Sequence, residues 1–311
     1  MAQSPPLSEQ VILITGASTG IGAALARRLA GEYLGIRLVI AARNQEKLEA
    51  VATECLKAGA DVLVVPTDMA QVEQVKALAH LALERFGRVD ALVNNAGYGQ
   101  MGPVELISSE EAQRQFAVNF HGPLTLTQAL IPTMRDQGGG RIINVSSLGG
   151  RLAFPAGGMY SSSKFALEAL SDVLRMELEA FNIKVSVIEP GPVKTEFFSV
   201  AGEKVDLSAP ESGKTLYRAA IQAIKEIEQQ TAPLAWSSER VAGVILRALT
   251  DRHPRPRYLA ATGGKTMLFL MTKLMPTKLL DFFWKRFYRI DQVAKDWKSR
   301  SRAQGGEALK H

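Results

Sequence analysis

Val11-Ile12-Leu13-Ile14-Thr15-Gly16-Ala17-Ser18-Thr19-Gly20-Ile21-Gly22 decides the fold. Four apolar residues end in Thr15-Gly16, and a helical pattern begins near Gly20 and runs to Glu32. Glycines at 16, 20 and 22 leave the strand-to-helix turn free of bulky side chains. A dinucleotide pyrophosphate can then approach the backbone amides and the positive end of the following helix. A plain glycine turn is the alternative, and the position after the first strand favours the cofactor reading. The spacing is not G-x-G-x-x-G, so the loop does not settle the matter alone.

The same alternation continues outward. Apolar runs at Arg37–Ala41, Asp61–Val65, Ala91–Val93, Arg141–Val145 and Lys184–Ile188 alternate with helical patterns. Those patterns cover Gln45 to Ala58, Gln71 to Phe86 and the stretch through Tyr160 to Phe181, and a long polar-apolar segment runs from Ser109 to Met134. Short continuous apolar runs between helices predict βαβ units in a parallel sheet buried on both faces. Right-handed crossovers make it an α/β, Rossmann-like doubly wound sheet. A further run at Tyr258–Ala261 brings it to about seven strands. We expect one dinucleotide-binding catalytic domain over residues 1–264 and a basic helical tail over 265–311.

Composition narrows the function classes. The chain has 311 residues, 46% hydrophobic and 22% charged, as a soluble globular protein should. A single cysteine, Cys55, excludes an internal disulfide and fits a reducing, cytoplasmic setting. Histidines at 80, 121, 253 and 311 form no metal-ligand spacing, so no metal is expected. Residues 1–10 carry neither a basic segment nor a long apolar run, so no signal peptide is expected. The net charge of +6 divides into +9 over residues 251–311 and −3 before them. The basicity therefore belongs to the tail, and no nucleic-acid partner is expected.

Three strand ends carry further candidates. An acidic residue after the second strand would bind the ribose hydroxyls of NAD. Ala41-Ala42-Arg43-Asn44 has none, and the Arg43 guanidinium suits a 2′-phosphate. NADP(H) is thus the preferred cofactor, with NAD(H) the alternative; a solvated loop arginine is the plainer reading of Arg43. Asp68 accepts a hydrogen bond from adenine or N-caps the next helix. Asn94-Asn95-Ala96-Gly97 walls the adenosine side of a cleft or braces neighbouring strands.

Gly157-Gly158-Met159-Tyr160-Ser161-Ser162-Ser163-Lys164 opens a long helical pattern. Tyr160 and Lys164, four residues apart, project from one face. A nearby ammonium lowers a phenol's pKa, and a tuned phenol exchanges protons with an alcohol or ketone oxygen.

Together these motifs resemble the short-chain dehydrogenase/reductase family. Its markers TGxxxGIG, NNAG, a lone Asn, Ser, YxxxK and PG stand in order at Thr15–Gly22, Asn94–Gly97, Asn119, Ser147, Tyr160–Lys164 and Pro190-Gly191. The resemblance is close over about residues 9–200 and looser to about 260. It implies that Tyr160 is the proton donor to a ketone or the base for an alcohol. Lys164 would hold the nicotinamide ribose and tune Tyr160, and Ser147 would bind the substrate oxygen. Ser146 competes for that last role, and the thirteen-residue spacing to Tyr160 decides for Ser147. Asn119 would hold a water linked to Lys164. Gly16, Ser18, Thr19, Gly20, Ile21, Gly22, Arg43, Asp68, Asn95, Ala96, Gly97, Tyr160, Lys164, Pro190, Gly191, Val193 and Thr195 would contact the cofactor. Thr19 is not basic, so the NADP preference rests on Arg43 alone. A homo-oligomer, dimer or tetramer, is expected.

Substrate signals are sparser. Leu152, Phe154 and Pro155 after the fifth strand, and Phe197-Phe198 after the sixth, suit a pocket for a lipophilic carbonyl or alcohol. A lid packed on the core is the equal alternative for the phenylalanine pair. Chain length is similar to that of family reductases acting on steroids, retinoids and long-chain carbonyls. A 3-oxoacyl thioester reductase is the alternative enzyme, and a non-catalytic cofactor-binding scaffold the distant one. In the tail, Lys278–Ile290 predicts an amphipathic helix. Leu279, Leu280, Phe283, Trp284, Phe287 and Ile290 share one face; Lys278, Asp281, Lys285, Arg286 and Arg289 share the other, with Phe282 out of place. Such a helix suits peripheral contact with a membrane at its cytosolic face, or docking on its own domain or a second subunit. Lys298–His311 is expected to fray.

Overall fold

The computed structural model describes residues 5–194 and 216–307. Seven parallel strands form one sheet in the order β3-β2-β1-β4-β5-β6-β7. They are β1 (Val11–Thr15), β2 (Arg37–Ala42), β3 (Asp61–Pro66), β4 (Ala91–Asn94), β5 (Gly140–Val145), β6 (Ile183–Pro190) and β7 (Arg257–Ala260). β6 runs past the predicted Lys184–Ile188 in both directions, because Ile183 pairs with Gly140 of β5 and Glu189 and Pro190 stay in register with Leu259 and Ala260 of β7.

Two cores flank the sheet. On one side α1 (Gly20–Glu32), α2 (Gln45–Lys57) and α8 (Ser238–Thr250) bury Leu25, Leu29, Leu48 and Ile245 against Ile12, Ile14 and Ile40. On the other, α3 (Val72–Phe86), α5 (Gly122–Asp136) and α6 (Gly158–Glu177) bury Leu78, Leu126, Leu130 and Leu174 against Leu13, Val39 and Leu92. This double burial explains why β1 reads as an unbroken apolar run. The strand order reverses between β1 and β4, so their following loops part and open a crevice at the strands' carboxyl ends.

The long polar-apolar segment from Ser109 to Met134 forms two helices joined by a wider turn. α4 (Ser109–Phe116) starts at a capping box between Ser108 and Glu111. A π-turn at Ala117–His121 follows, and α5 continues from Gly122. Gly122 is required there, since a Cβ would lie 2.5 Å from the Met69 carbonyl oxygen.

Beyond β6, α7 (Arg218–Thr231) precedes α8, and the tail forms α9 (Gly264–Phe269), α10 (Thr277–Phe287) and α11 (Ile290–Glu307). The predicted tail helix stops at Phe287, where Arg289 takes a φ of +54°. Where fraying was expected from Lys298, α11 continues to Glu307, and residues 308–311 lie outside the described residues. On α10 only Leu280, Trp284 and Tyr288 turn inward, a stripe narrower than the predicted apolar face; Leu279, Phe282, Phe283 and Phe287 are exposed. Among the described residues no helix is long and apolar enough to cross a membrane.

Candidate active site

Thr15, Gly16 and Asn95 knit the ends of β1 and β4 together. Thr15 Oγ1 accepts hydrogen bonds from the backbone amides of Asn95 (3.1 Å) and Ala96 (3.0 Å). Asn95 Nδ2 donates to the carbonyls of Thr15 (2.9 Å) and Gly16 (3.1 Å). Gly16 has a φ of +67° and Gly20 one of +57°, backbone that favours glycine. A Cβ on Gly22 would sit 2.4 Å from the Gly16 carbonyl oxygen, so the helix closes tightly on the loop. Ser18, Gly20 and Ile21 are half-buried and Thr19 is exposed. Thr19 is the N-cap of α1 yet gives it no side-chain cap, and the first turn holds no acidic residue. The opening amides of α1 are thus left to an external anion, and the loop fits a dinucleotide pyrophosphate.

At the end of β2 Arg43 is exposed and makes no ion pair among the described residues. Asn44 caps α2, accepting from the Lys47 amide at 2.8 Å. Asp68 does not N-cap α3, which starts from Gln71. Its carboxylate accepts from the Ala70 amide (3.0 Å) and pairs with Arg114 of α4 (3.1 Å). Tyr98 lies within the electrostatic reach of Arg114, Glu111, Arg43 and Asp68, and burial holds its phenol above the ordinary range. Sequence reasoning missed Tyr98 and Arg114, since neither stands in a motif. Asn94 takes the bracing role: Nδ2 donates to Asn144 Oδ1 (2.8 Å) and Thr127 Oγ1 (3.2 Å).

The other end of the crevice is enclosed. Asn119, in the π-turn and fully buried, accepts from the Tyr98 amide (3.1 Å) and donates to the Tyr98 carbonyl (3.0 Å) and Ser163 Oγ (3.1 Å). Lys164 Nζ donates to the Val145 carbonyl at 2.8 Å. A Cβ on Gly97 would come within 3.2 Å of Asn119 Oδ1 and 3.3 Å of Lys164 Nζ, so glycine lets these two groups converge. Ser147 Oγ accepts from the Gly149 amide at 3.0 Å and hydrogen-bonds the Tyr160 phenol. Ser146 points elsewhere, its Oγ 2.5 Å from where a Gly150 Cβ would be, beside Glu168. The thirteen-residue spacing therefore picks the serine that meets the tyrosine.

Tyr160 departs from expectation in one respect. Burial pushes its phenol up to about 12, only partly offset by the Ser147 hydrogen bond. The Lys164 ammonium is engaged at Val145, and desolvation outweighs the lowering predicted from the i, i+4 pair. Lys164 itself is brought down to about 8 by burial, against the pull of Glu168. Tyr160 is thus a proton-bearing group at neutral pH.

Beneath this face runs a charge network that sequence reading did not reveal. Arg257 of β7 pairs with Glu168 (3.1 Å), Asp172 (2.6 Å) and Glu189 (3.3 Å), and Arg151 pairs with Glu189 (2.8 Å). It ties the Ser147 loop, α6 and the end of β6 together. There Pro190 is buried, and a Cβ on Gly191 would lie 2.8 Å from the Ala261 Cβ. Val193 bridges to Trp236. Thr195, Phe197 and Phe198 lie outside the described residues.

A crevice with a glycine-lined helix N-terminus at one end and a half-buried Ser147 against buried Tyr160 and Lys164 at the other suits a dinucleotide-dependent oxidoreductase. Comparison with known proteins agrees. A family model described as short chain dehydrogenase matches residues 10–206. Human retinol dehydrogenase 5 is 34% identical over 291 residues, covering 90% of this chain and 89% of its own. A short-chain dehydrogenase/reductase from Burkholderia phymatum in complex with NAD is 29% identical, with a TM-score of 0.74, covering 85% of this chain and 93% of that one. A metagenomic short-chain oxidoreductase in complex with NADP is 30% identical, with a TM-score of 0.64, covering 82% of this chain and 97% of that one. The chain belongs to the short-chain dehydrogenase/reductase family and is an oxidoreductase acting on CH–OH donors with a nicotinamide dinucleotide.

Proposed function

We propose that this protein is an NADP(H)-dependent oxidoreductase that interconverts a lipophilic ketone or aldehyde and its alcohol. The observation that carries the reading is the Tyr160 phenol, hydrogen-bonded to Ser147 and on one buried face with Lys164. When bound, the reduced nicotinamide supplies a hydride to the carbonyl carbon. Ser147 and Tyr160 hold the carbonyl oxygen, and the Tyr160 hydroxyl gives its proton to that oxygen as negative charge develops there. The developing alkoxide is the stronger base, so a phenol held near 12 still transfers its proton downhill. Lys164 holds the ribose hydroxyls, and Asn119 holds a water that links Lys164 to solvent. The α1 N-terminus receives the pyrophosphate, Pro190, Gly191, Val193 and Thr195 the nicotinamide side, and Arg43 the 2′-phosphate.

Retinol dehydrogenase 5 among the relatives supports a lipophilic substrate, and the NADP complex of one structural neighbour supports the cofactor. The catalytic domain spans 1–264, and it assembles as a dimer or tetramer. The tail contacts a cytosolic membrane face peripherally: Phe269, Leu274, Leu279 and Phe282 are 55%, 61%, 52% and 67% exposed beside Lys273, Lys278 and Lys285. The test is a screen of NADPH oxidation over steroids, retinal, long-chain aldehydes and 3-oxoacyl thioesters. Turnover of a lipophilic carbonyl by wild type and its loss in Tyr160→Phe are expected. Turnover confined to the thioesters, or undiminished in Tyr160→Phe, overturns the reading.

A further inference from the structure

We infer that Trp284 and Tyr288 of the tail, folded over Phe154, form the distal wall of the substrate site and select substrates whose apolar body extends beyond the reacting carbon. This rests on the reading of Tyr160 as the reacting group. Tyr160 is 8% exposed and clusters with Met101 and Phe154. A Cβ on Gly149 would lie 3.1 Å from Tyr160 Cε1 and 3.4 Å from Phe154 Cε1, so both rings close over one glycine. Tyr288 stacks on Phe154 with centroids 5.8 Å apart and planes at 14°. Trp284 meets the same ring at 6.2 Å, and Tyr288 at 5.8 Å. The aromatic surface is therefore continuous from Tyr160 to α10, through residues more than a hundred positions apart in sequence.

The wall is apolar but not without a polar handle. Burial alone pushes the Tyr288 phenol upward. The Trp284 indole N–H is buried and has no acceptor among the described residues, a donor that a bound ligand would satisfy. The fold holds the wall in place. Arg289, just after α10, pairs with Glu226 of α7. Tyr217, at the start of α7, donates to Glu105 at 2.8 Å, close to Met101 in sequence. A tail that served only to cover the core would not need its aromatic stripe aimed at the ring beside Tyr160.

The test uses full-length protein with retinal as the extended probe and benzaldehyde as the small one. Trp284→Ala and Tyr288→Ala should each raise KM for retinal at least tenfold and change kcat/KM for benzaldehyde less than threefold. Tyr288→Phe should restore the wild-type KM, and Phe282→Ala, on the exposed face, should change neither. Equal losses on both probes, or an unchanged retinal KM in both alanine variants, overturn the inference. Retinal binding by fluorescence quenching separates this from the reaction itself. Binding weakened at least tenfold by Tyr288→Ala in a protein that reduces neither probe keeps the wall and removes the reading of Tyr160 as the group that reduces a lipophilic carbonyl. Binding indifferent to Tyr288 removes the wall.

Discussion

Tyr160 and Lys164 expose 8% and 4% of their surfaces, whereas Arg43, at the other end of the same crevice, is exposed and makes no ion pair among the described residues. Asn119, beside Lys164, spends its amide on Tyr98 and Ser163. The enclosed end therefore has its protonation states set by the fold: a phenol held up near 12 and an ammonium brought down to about 8. The open end is set by whatever ligand arrives. Chemistry and cofactor choice are thus separable, and substitutions at one end should leave the other unmoved.

Tyr160→Phe should have the largest effect. Loss of the proton lowers kcat/KM by about 10²–10⁴-fold on a verified ketone. NADPH affinity, read by fluorescence titration, should stay within about twofold because the ring remains. Lys164 comes next, through pH. Its folded pKa of about 8 lies below the ordinary 10.5, so the folded state binds fewer protons than the unfolded chain between those values. Stability of wild type relative to Lys164→Met should then rise with pH across that window, by an amount of order a few kcal/mol at about 1.4 kcal/mol per unit. Tyr160 works in the opposite sense only above pH 10, its own ordinary value, so chemical denaturation between pH 8 and 10 isolates the lysine. A difference that shrinks or stays level over that range would contradict the burial argument.

Arg43→Ala should cost ~1.5–3 kcal/mol of NADPH affinity, the range for a charge-assisted contact, and leave NADH affinity unchanged. Steady-state KM values for both cofactors read this directly. The smallest effect is on stability. Asn119→Ala removes the acceptor of the Tyr98 amide, while Gln115 Nε2 still donates to the Tyr98 carbonyl at 2.7 Å, and this should destabilise the fold by about 1–3 kcal/mol in thermal unfolding.

Sequence reading recovered what depends on local pattern. The βαβ order follows from short spacings, and the same kind of spacing put forward the loop at Gly16–Gly22 and Ser147 rather than Ser146 as site candidates. It failed where distant residues meet. Arg257 reaches Glu168 and Asp172 across more than eighty residues, and no periodicity announces that pairing. The π-turn at Asn119 sits inside a long polar-apolar segment whose pattern does not mark it, because a wider turn keeps nearly the same apolar periodicity. The direction of the Tyr160 shift was missed because i, i+4 spacing reports proximity and not desolvation. The helical wheel of α10 showed a broad apolar face, yet only Leu280, Trp284 and Tyr288 turn inward, and of these Trp284 and Tyr288 meet Phe154.

The most direct test of the division between the two ends is the ratio of NADPH to NADH dissociation constants, measured by titration in wild type, Tyr160→Phe and Arg43→Ala. NADPH should bind more tightly in the first two by the same factor, and that preference should fall toward one in Arg43→Ala. A wild-type ratio near one, or a ratio that shifts in Tyr160→Phe as much as in Arg43→Ala, would contradict it.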